Sequence, residues 1–413
     1  MNVCIAAYAC EPHKGSEPEV GWQMVNEIAK TMPENTFFVV TKYNNQDLIE
    51  KENYPPNVNF IYYQPPRWLT FWKKGGRGIR TYYYLWMLSA ALYMKKQKKD
   101  FDIVHHITFV NDWLPSLFFL LKNEKNKFIW GPIGSNAPID KKFLDGIKRK
   151  VVENIRIFLQ LFFRNIDPSF HMCKLKADYI IGITENVKEN LHLNNDKRFL
   201  AESAIAMKKS IVETLTVSSI YDKNEFIIIS VGNLIYIKNF KLSILAFSKF
   251  LHNNPNVTNA KLQIIGKGPD KQSLQEYVKE LGIENSVEFL GQMSRDKVQE
   301  HFSKASVFLF PTLESAGFVT LEAMSYALPV VAMNYGGPKQ FVRKNIDKQL
   351  VDSTQSYDTI ANSLAIKVQN FYDDKELIDR VGKENREEVL KSFTWEAKAQ
   401  KMKKLYEELL DEA

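Results

Sequence analysis

The sequence predicts an α/β protein of two doubly wound parallel sheets, and three observations predict it. Short apolar runs alternate with helical stretches along most of the chain, the runs fall into two series, and a polar, irregular stretch separates them. Runs of about four to eight residues without polar alternation suit strands covered on both faces, which is the habit of parallel sheets. With 413 residues and 45% hydrophobic content, the chain has enough apolar material for two domains of ordinary size.

The first series is Val3 to Tyr8, Thr36 to Thr41, Val58 to Tyr63, Phe101 to Ile107, Lys127 to Trp130 and Ala177 to Ile183. The second is Phe226 to Val231, Lys261 to Ile265, Val287 to Leu290, Val307 to Phe310 and Pro329 to Ala332. Between them Leu191 to Lys223 reads as the linker region, so the expected domains are 1–205, with residues 393–413 expected to pack back on it as a helix, and 206–392. The last segment, from Ser392 to Leu410, is amphipathic through Phe393, Trp395, Met402, Leu405, Tyr406 and Leu409. Ligands of such sheets bind beyond the carboxyl ends of the strands, which predicts a site in an interdomain cleft.

Three cysteines, Cys4, Cys10 and Cys173, form neither a disulfide framework nor a zinc spacing, and they point to a reducing compartment. Met1 to Tyr8 lacks the basic flank and the length of a signal peptide and reads as a first strand. The net charge of +7 is unevenly placed. Arg67 to Arg80, Lys95 to Lys99 and Lys148 to Arg164 interleave basic groups with Trp, Phe, Tyr and Ile, a pattern that suits either an anionic membrane surface or core helices with solvated basic flanks. No nucleic-acid module accompanies the charge. The expected location is cytoplasmic, peripheral at the inner face of a membrane.

The most informative stretch runs from Phe310 to Ala332. An apolar run stops at a proline, a small-residue turn carries Glu314, Ser315, Ala316 and Gly317, and a helix with Phe318, Val319 and Glu322 follows. Strand, loop and helix N-terminus in this order suit either an ordinary helix with a polar cap and one exposed glutamate or a diphosphate site, because the N–H groups of the first turn lack intrahelical partners and the helix dipole favours anions. Glu314 on the loop and Glu322 farther into the helix can then reach two different parts of one ligand.

This stretch resembles the signature of the retaining family 4 glycosyltransferases of GT-B fold, Glu-Ser-x-Gly-x-x-x-x-Glu followed by Ala-Met-x-x-Gly-x-Pro-Val-Val-Ala. Ala327 stands where a glycine is usual. The resemblance implies that Glu322 holds the ribose of a nucleotide sugar, that Glu314 contacts the transferred sugar, and that the N–H groups of Ser315 to Val319 hold the diphosphate. Upstream, Gly232-Asn-Leu-Ile-Tyr-Ile-Lys-Asn239 is similar to the family's Gly-Arg-Leu and Lys-Gly element. Lys238 matches the lysine, whereas Asn233 replaces the arginine and Asn239 the glycine, so leaving-group charge rests on Lys238 and the helix. Gly266 and Gly268 are similar to the family's Gly-x-Gly-Pro element, which lies beside the nucleotide, and Val287 to Arg295 resembles the family's next element, which implies that Arg295 lies at the base pocket.

In the first series, Gly15 is the candidate for a close approach to the donor, with Ser16 and Glu17 toward sugar or acceptor. His105 and His106 end a strand where the family often shows a donor-contacting histidine, and both are named. Gly131 and Gly134 of Trp130-Gly-Pro-Ile-Gly-Ser135 are expected on the acceptor side. No Asp-x-Asp motif appears near a strand end, so no metal cofactor is expected. The resemblance implies transfer of a sugar, with retention, from a nucleotide diphosphate donor to a hydroxyl of a glycan or lipid-linked saccharide in polysaccharide biosynthesis, a UDP-sugar being favoured. Two alternatives stand beside it: a GT-B sugar-nucleotide epimerase, and a non-catalytic nucleotide-sugar-binding protein.

Overall fold

A computed structural model describes residues 1–73, 75, 78–135, 137–194, 196–217 and 225–411, with the side chain of Ser16 excepted. Lys74, Gly76 and Arg77 of the basic aromatic segment therefore lie outside the described residues, as does the Ser16 side chain. The chain divides into two compact units: residues 1–137, 154–205 and 395–413 form the first, and residues 138–153 and 206–394 the second.

Seven parallel strands make the first sheet: β1 (Asn2–Ala6), β2 (Thr36–Lys42), β3 (Val58–Tyr63), β4 (Ile103–His106), β5 (Lys127–Ile133), β6 (Tyr179–Gly182) and β7 (Phe199–Ala201), in the order β3-β2-β1-β4-β5-β6-β7. Val3 pairs with Phe37 on one side and Ile103 on the other, so β1 is flanked on both edges and its Val, Cys and Ile side chains are buried. The helix Ile79–Lys96 buries Tyr83, Trp86, Met87, Ala90, Ala91 and Met94, a stripe at i, i+3, i+4, i+7 spacing. Of the two readings open for this basic aromatic stretch, that of a core helix holds for one face of residues 83–94. Trp68 and Phe71, just before it, are exposed.

The helix Trp395–Asp411 completes the first unit. It buries Trp395, Ala399, Met402, Leu405, Tyr406 and Leu409, and also Lys398, whose ammonium meets Glu202 at 3.2 Å. Lys401 reaches the other oxygen of Glu202 at 2.7 Å, so this buried carboxylate is held between two lysines.

The second sheet has six parallel strands: β8 (Phe226–Val231), β9 (Ala260–Ile265), β10 (Val287–Gly291), β11 (Val307–Leu309), β12 (Val330–Met333) and β13 (Leu350–Val351), ordered β10-β9-β8-β11-β12-β13. All eleven strands read from apolar runs are present. The two that the pattern did not show, β7 and β13, are three and two residues long, too short to produce a run. β7 lies inside the stretch read as an irregular linker, and the helix Lys209–Thr214 follows it there.

Ala327 has a specific structural cost. The N–H of Leu328 bonds to the carbonyl of Ala323 and that of Ala327 to Met324, which is a Schellman closure of the helix Phe318–Ser325. That closure places Ala327 at φ 53°, the left-handed region that an L side chain with a Cβ occupies at a cost of about 1 kcal/mol. The neighbouring helix Lys375–Ser392 packs so closely that a Cβ on Gly382 would lie 1.9 Å from the Ala327 carbonyl oxygen. Ala327→Gly is therefore expected to stabilise the second unit by about 1 kcal/mol in urea unfolding, and Gly382→Ala to destabilise it by more than that; an unchanged or lowered midpoint for Ala327→Gly would refute the strain.

Candidate active site

In the second sheet the strand order reverses between β8 and β11, and a doubly wound sheet opens its ligand crevice at such a point. The loops that leave these two strands meet there. Leu313 donates its N–H to the carbonyl of Ile237 at 2.9 Å, and Asn239 donates its side-chain amide to Pro311 at 3.1 Å. Asn239 sits at φ 56°, where asparagine is tolerated better than most residues, so it substitutes physically for the family's glycine. The meeting of the loops brings Lys238 Nζ to 2.5 Å from Glu314 Oε2 and 5.3 Å from the centre of the Phe310 ring. Both side chains are largely buried, at 15% and 26% exposed, so the pair is partly shielded from water while still reachable by a ligand.

Backbone packing explains the glycines. A Cβ on Gly266 would lie 1.9 Å from the Gly232 carbonyl oxygen, and one on Gly268 would lie 2.3 Å from that of Leu234. These two residues brace the loop after β8 and leave no room for side chains. Gly232 itself would bring a Cβ to 3.3 Å from Lys238 Cε. Asn233, at the arginine's place, is exposed. Sequence reasoning missed a second brace, Gly336 and Gly337, where Cβ atoms would approach the carbonyl oxygens of Glu314 and Ala316 at 2.0 and 2.4 Å. The signal was available in Tyr335-Gly-Gly-Pro338, a turn sequence directly after β12.

Gly317, at φ 61°, opens the helix Phe318–Ser325 and gives its first turn the orientation of an anion site. Ala316 and Phe318 are exposed beside it, Ser315 is half-buried and Val319 is buried. Glu322 lies in the second turn, with Arg295 Nη2 at 3.7 Å from its Oε1. Burial raises the Glu322 carboxyl to about 7, and the loosely placed, mostly exposed Arg295 only partly offsets this.

In the first unit the order reverses between β1 and β4. Gly15 is exposed at φ 69° just before the helix Ser16–Thr31, with open space around the position of a Cβ. Glu17 accepts the N–H of Phe109, tying the first turn of that helix to the loop after β4; burial raises its carboxyl and that N–H opposes the rise. The histidines depart from expectation. His105 donates from Nε2 to the Gly131 carbonyl at 2.7 Å and accepts at Nδ1 from the Tyr406 hydroxyl at 2.7 Å. His106 is bonded to the hydroxyls of Ser116 and Tyr83, at 2.7 and 2.9 Å. Burial pushes their pKa values down to about 4 and about 3, so both are neutral, buried and fully partnered, with no ring nitrogen left for a substrate. Of the two glycines expected on the acceptor side, Gly131 also has a packing reason. A Cβ on Gly131 would lie 2.1 Å from the Ile181 carbonyl oxygen, and Gly134 is bonded to Val110 at 2.8 Å.

The Glu322 shift gives a pH dependence. The folded chain holds the Glu322 proton up to about 7 against 4.5 for the ordinary carboxyl, so between these values the unfolded chain binds fewer protons than the folded one. Stability of the ligand-free protein should fall as pH rises through this window. Glu322→Gln should remove that part of the slope in urea unfolding followed against pH, and an unaltered slope would show that Glu322 is ordinary in solution.

Residues 213–388 match the family described as Glycosyl transferases group 1. The chain is 30% identical over 154 residues to the GDP-mannose-dependent alpha-(1-6)-phosphatidylinositol monomannoside mannosyltransferase of Mycobacterium tuberculosis, covering 35% of this chain and 39% of that one. It spans less than half the length of the curated relatives it matches. Among solved structures, it superposes on sucrose-phosphate synthase from Thermosynechococcus elongatus with a TM-score of 0.65 at 17% identity, covering 100% of both chains. It superposes on Anabaena HepE, solved in complex with UDP, with a TM-score of 0.61 at 13% identity, covering 99% of this chain and 100% of that one. Residues 213–388 thus resemble the glycosyl transferases group 1 family, and the two Rossmann-like units have the fold of these solved structures, GT-B.

Proposed function

We propose that this chain transfers a sugar from a nucleotide diphosphate donor to a hydroxyl of a glycan or lipid-linked saccharide, with retention of anomeric configuration. The observation that carries this reading is the Lys238–Glu314 pair at the reversal point of the second sheet, next to the helix N-terminus at Gly317. A lysine and a helix dipole offer positive potential for a departing diphosphate, without a metal ion in the proposed scheme. An incoming diphosphate would draw the ammonium from Glu314 and free that carboxylate to accept hydrogen bonds from the sugar hydroxyls. Glu322 would bond the ribose, and its raised pKa lets it donate as well as accept near neutral pH.

Retention is proposed to follow a front-face route. The departing phosphate oxygen takes the acceptor proton as the new glycosidic bond forms on the face that the leaving group vacates, through an oxocarbenium-like transition state. The protein's part is to orient the two substrates and to stabilise charge on the leaving oxygen. UDP-sugars are the first donor class in this reading, supported by the UDP-bound HepE structure; the name of the mycobacterial relative makes GDP-sugars the competing class.

The test is nucleoside diphosphate release from a panel of UDP-, GDP- and ADP-sugars, with and without EDTA. Turnover of one donor is expected, persisting in EDTA and reduced at least about a hundredfold by Lys238→Ala, the scale of losing one charge-stabilising donor. Glu322→Ala should chiefly raise KM. The product anomer, read by NMR, tests retention. Binding of a donor without turnover across broad acceptors would point to an inactive binder, and an epimerised donor formed without acceptor would point to an epimerase.

A further inference from the structure

The helix Gly146–Ile166 is turned inside out over its first-unit part, residues 154–166. Its polar side faces the protein: Arg164 bonds to the carbonyl and carboxylate of Asp112 at 3.0 and 2.8 Å, and Gln160 is buried. Arg156 bonds to the Ala137 carbonyl at 3.0 Å and to Gln160 at 3.2 Å. Ile155, Phe158, Leu159, Phe162 and Ile166 point the other way into solvent, with Phe158 65% exposed. An ordinary surface helix does the reverse. Here the inward polar groups are satisfied in place, so the outward apolar face is fixed by the fold.

A second exposed segment adjoins this face. Trp68 and Phe71 are 72% and 80% exposed, and Trp72 lies against Gly78, where a Cβ would meet its ring at 2.7 Å. Two residues on, the Arg80 guanidinium stacks on Trp113 at 4.5 Å, and the other neighbour of Trp113 is Phe163 of the inverted helix, at 5.8 Å. Tyr84 also bonds to Ser169, just beyond that helix, at 2.9 Å. The two apolar elements therefore belong to one side of the first unit.

The charge around this side selects its occupant. Residues 67–80 hold five basic and no acidic side chains, and in the first-unit stretch 154–176, apart from the inward-facing Arg156 and Arg164, Lys174 and Lys176 stand against Asp167. A second copy across a two-fold axis would set these positive segments against each other. Anionic headgroups complement them, and an apolar helix face with basic flanks is the chemistry of an interfacial helix. No helix among the described residues is long and apolar enough to cross a membrane, so such a helix lies on the surface.

We infer that the face formed by residues 155–166 and Trp68–Trp72 docks the chain on a bilayer rich in anionic lipid, with Phe158 and Phe162 seated below the headgroups. This deepens the reading of a lipid-linked acceptor and rests on it for its purpose, although docking is measured without turnover.

The test is cosedimentation of the full chain with vesicles of phosphatidylcholine alone and of phosphatidylcholine with phosphatidylglycerol. Binding is expected only with the anionic lipid, to weaken with salt, and to fall at least tenfold in Phe158→Glu/Phe162→Glu and severalfold in Trp68→Ser/Phe71→Ser. Both pairs are exposed, and circular dichroism with urea midpoints checks that they fold as the native chain does. Absence of binding to anionic vesicles, or equal binding by the folded variants, overturns the inference. So does a dimer in light scattering that Phe158→Glu/Phe162→Glu splits while vesicle binding is absent. Unchanged nucleoside diphosphate release by soluble variants would leave the transferase reading standing whichever way the lipid result falls.

Discussion

Backbone packing against backbone, with no room for a side chain, is the constraint on which the second unit's chemistry depends. Gly266 and Gly268 sit under the loop after β8, while Gly336 and Gly337 sit under the loop after β11. Each contact fixes a carbonyl that anchors the path of a loop, and those paths bring Lys238 and Glu314 together. In the proposed reaction a cation held this way would stabilise the leaving group from a position set before the ligand arrives. The glycines thus act through geometry, and the hydrogen bonds of Asn239 and Leu313 lock the same two loops at their bases.

Burial divides the charged and titratable groups into two kinds. Glu202, Lys398 and Lys401 form a triad in which the acid is compensated from both sides, and its carboxyl stays below the usual range although burial opposes this. His105 and His106 are neutral hydrogen-bond nodes. Glu322 is different: it is desolvated and weakly paired, and its carboxyl is moved toward neutral pH. Burial of a weakly paired acid is costly to folding, and such groups concentrate at sites that bind ligands.

Much of this was legible in the sequence. Parallel strands buried on both faces appear as uninterrupted apolar runs, so eleven of them could be placed, and strand, glycine turn and helix in sequence marked the loop of Glu314. What could not be read was which polar residues at a strand end face inward. His105 and His106 are consecutive and, on a strand, point to opposite faces; whether either meets solvent depends on the helices Trp395–Asp411 and Ile79–Lys96, which supply Tyr406 and Tyr83 from far along the chain. Gly131 carries a related ambiguity, since a glycine that yields to a neighbouring strand looks the same in sequence as one that yields to a ligand. The helix Gly146–Ile166 has a clear amphipathic period, but the period does not say which side turns inward, and here Asp112 and the Ala137 carbonyl decide it.

The first unit is assembled from pieces of chain that are made far apart in time. Its sheet is synthesised by residue 201, yet the acid at Glu202 and the ring nitrogen of His105 wait for Lys398, Lys401 and Tyr406. Residues 206–394 must be translated in between, which at roughly 5–20 residues per second takes on the order of ten to forty seconds. During that interval the nascent first unit carries an unpaired acid and an uncovered apolar surface, and the second unit, contiguous apart from residues 138–153, is free to close first. A chain whose translation stops before Trp395 would leave the ribosome with its earliest strands still unfinished.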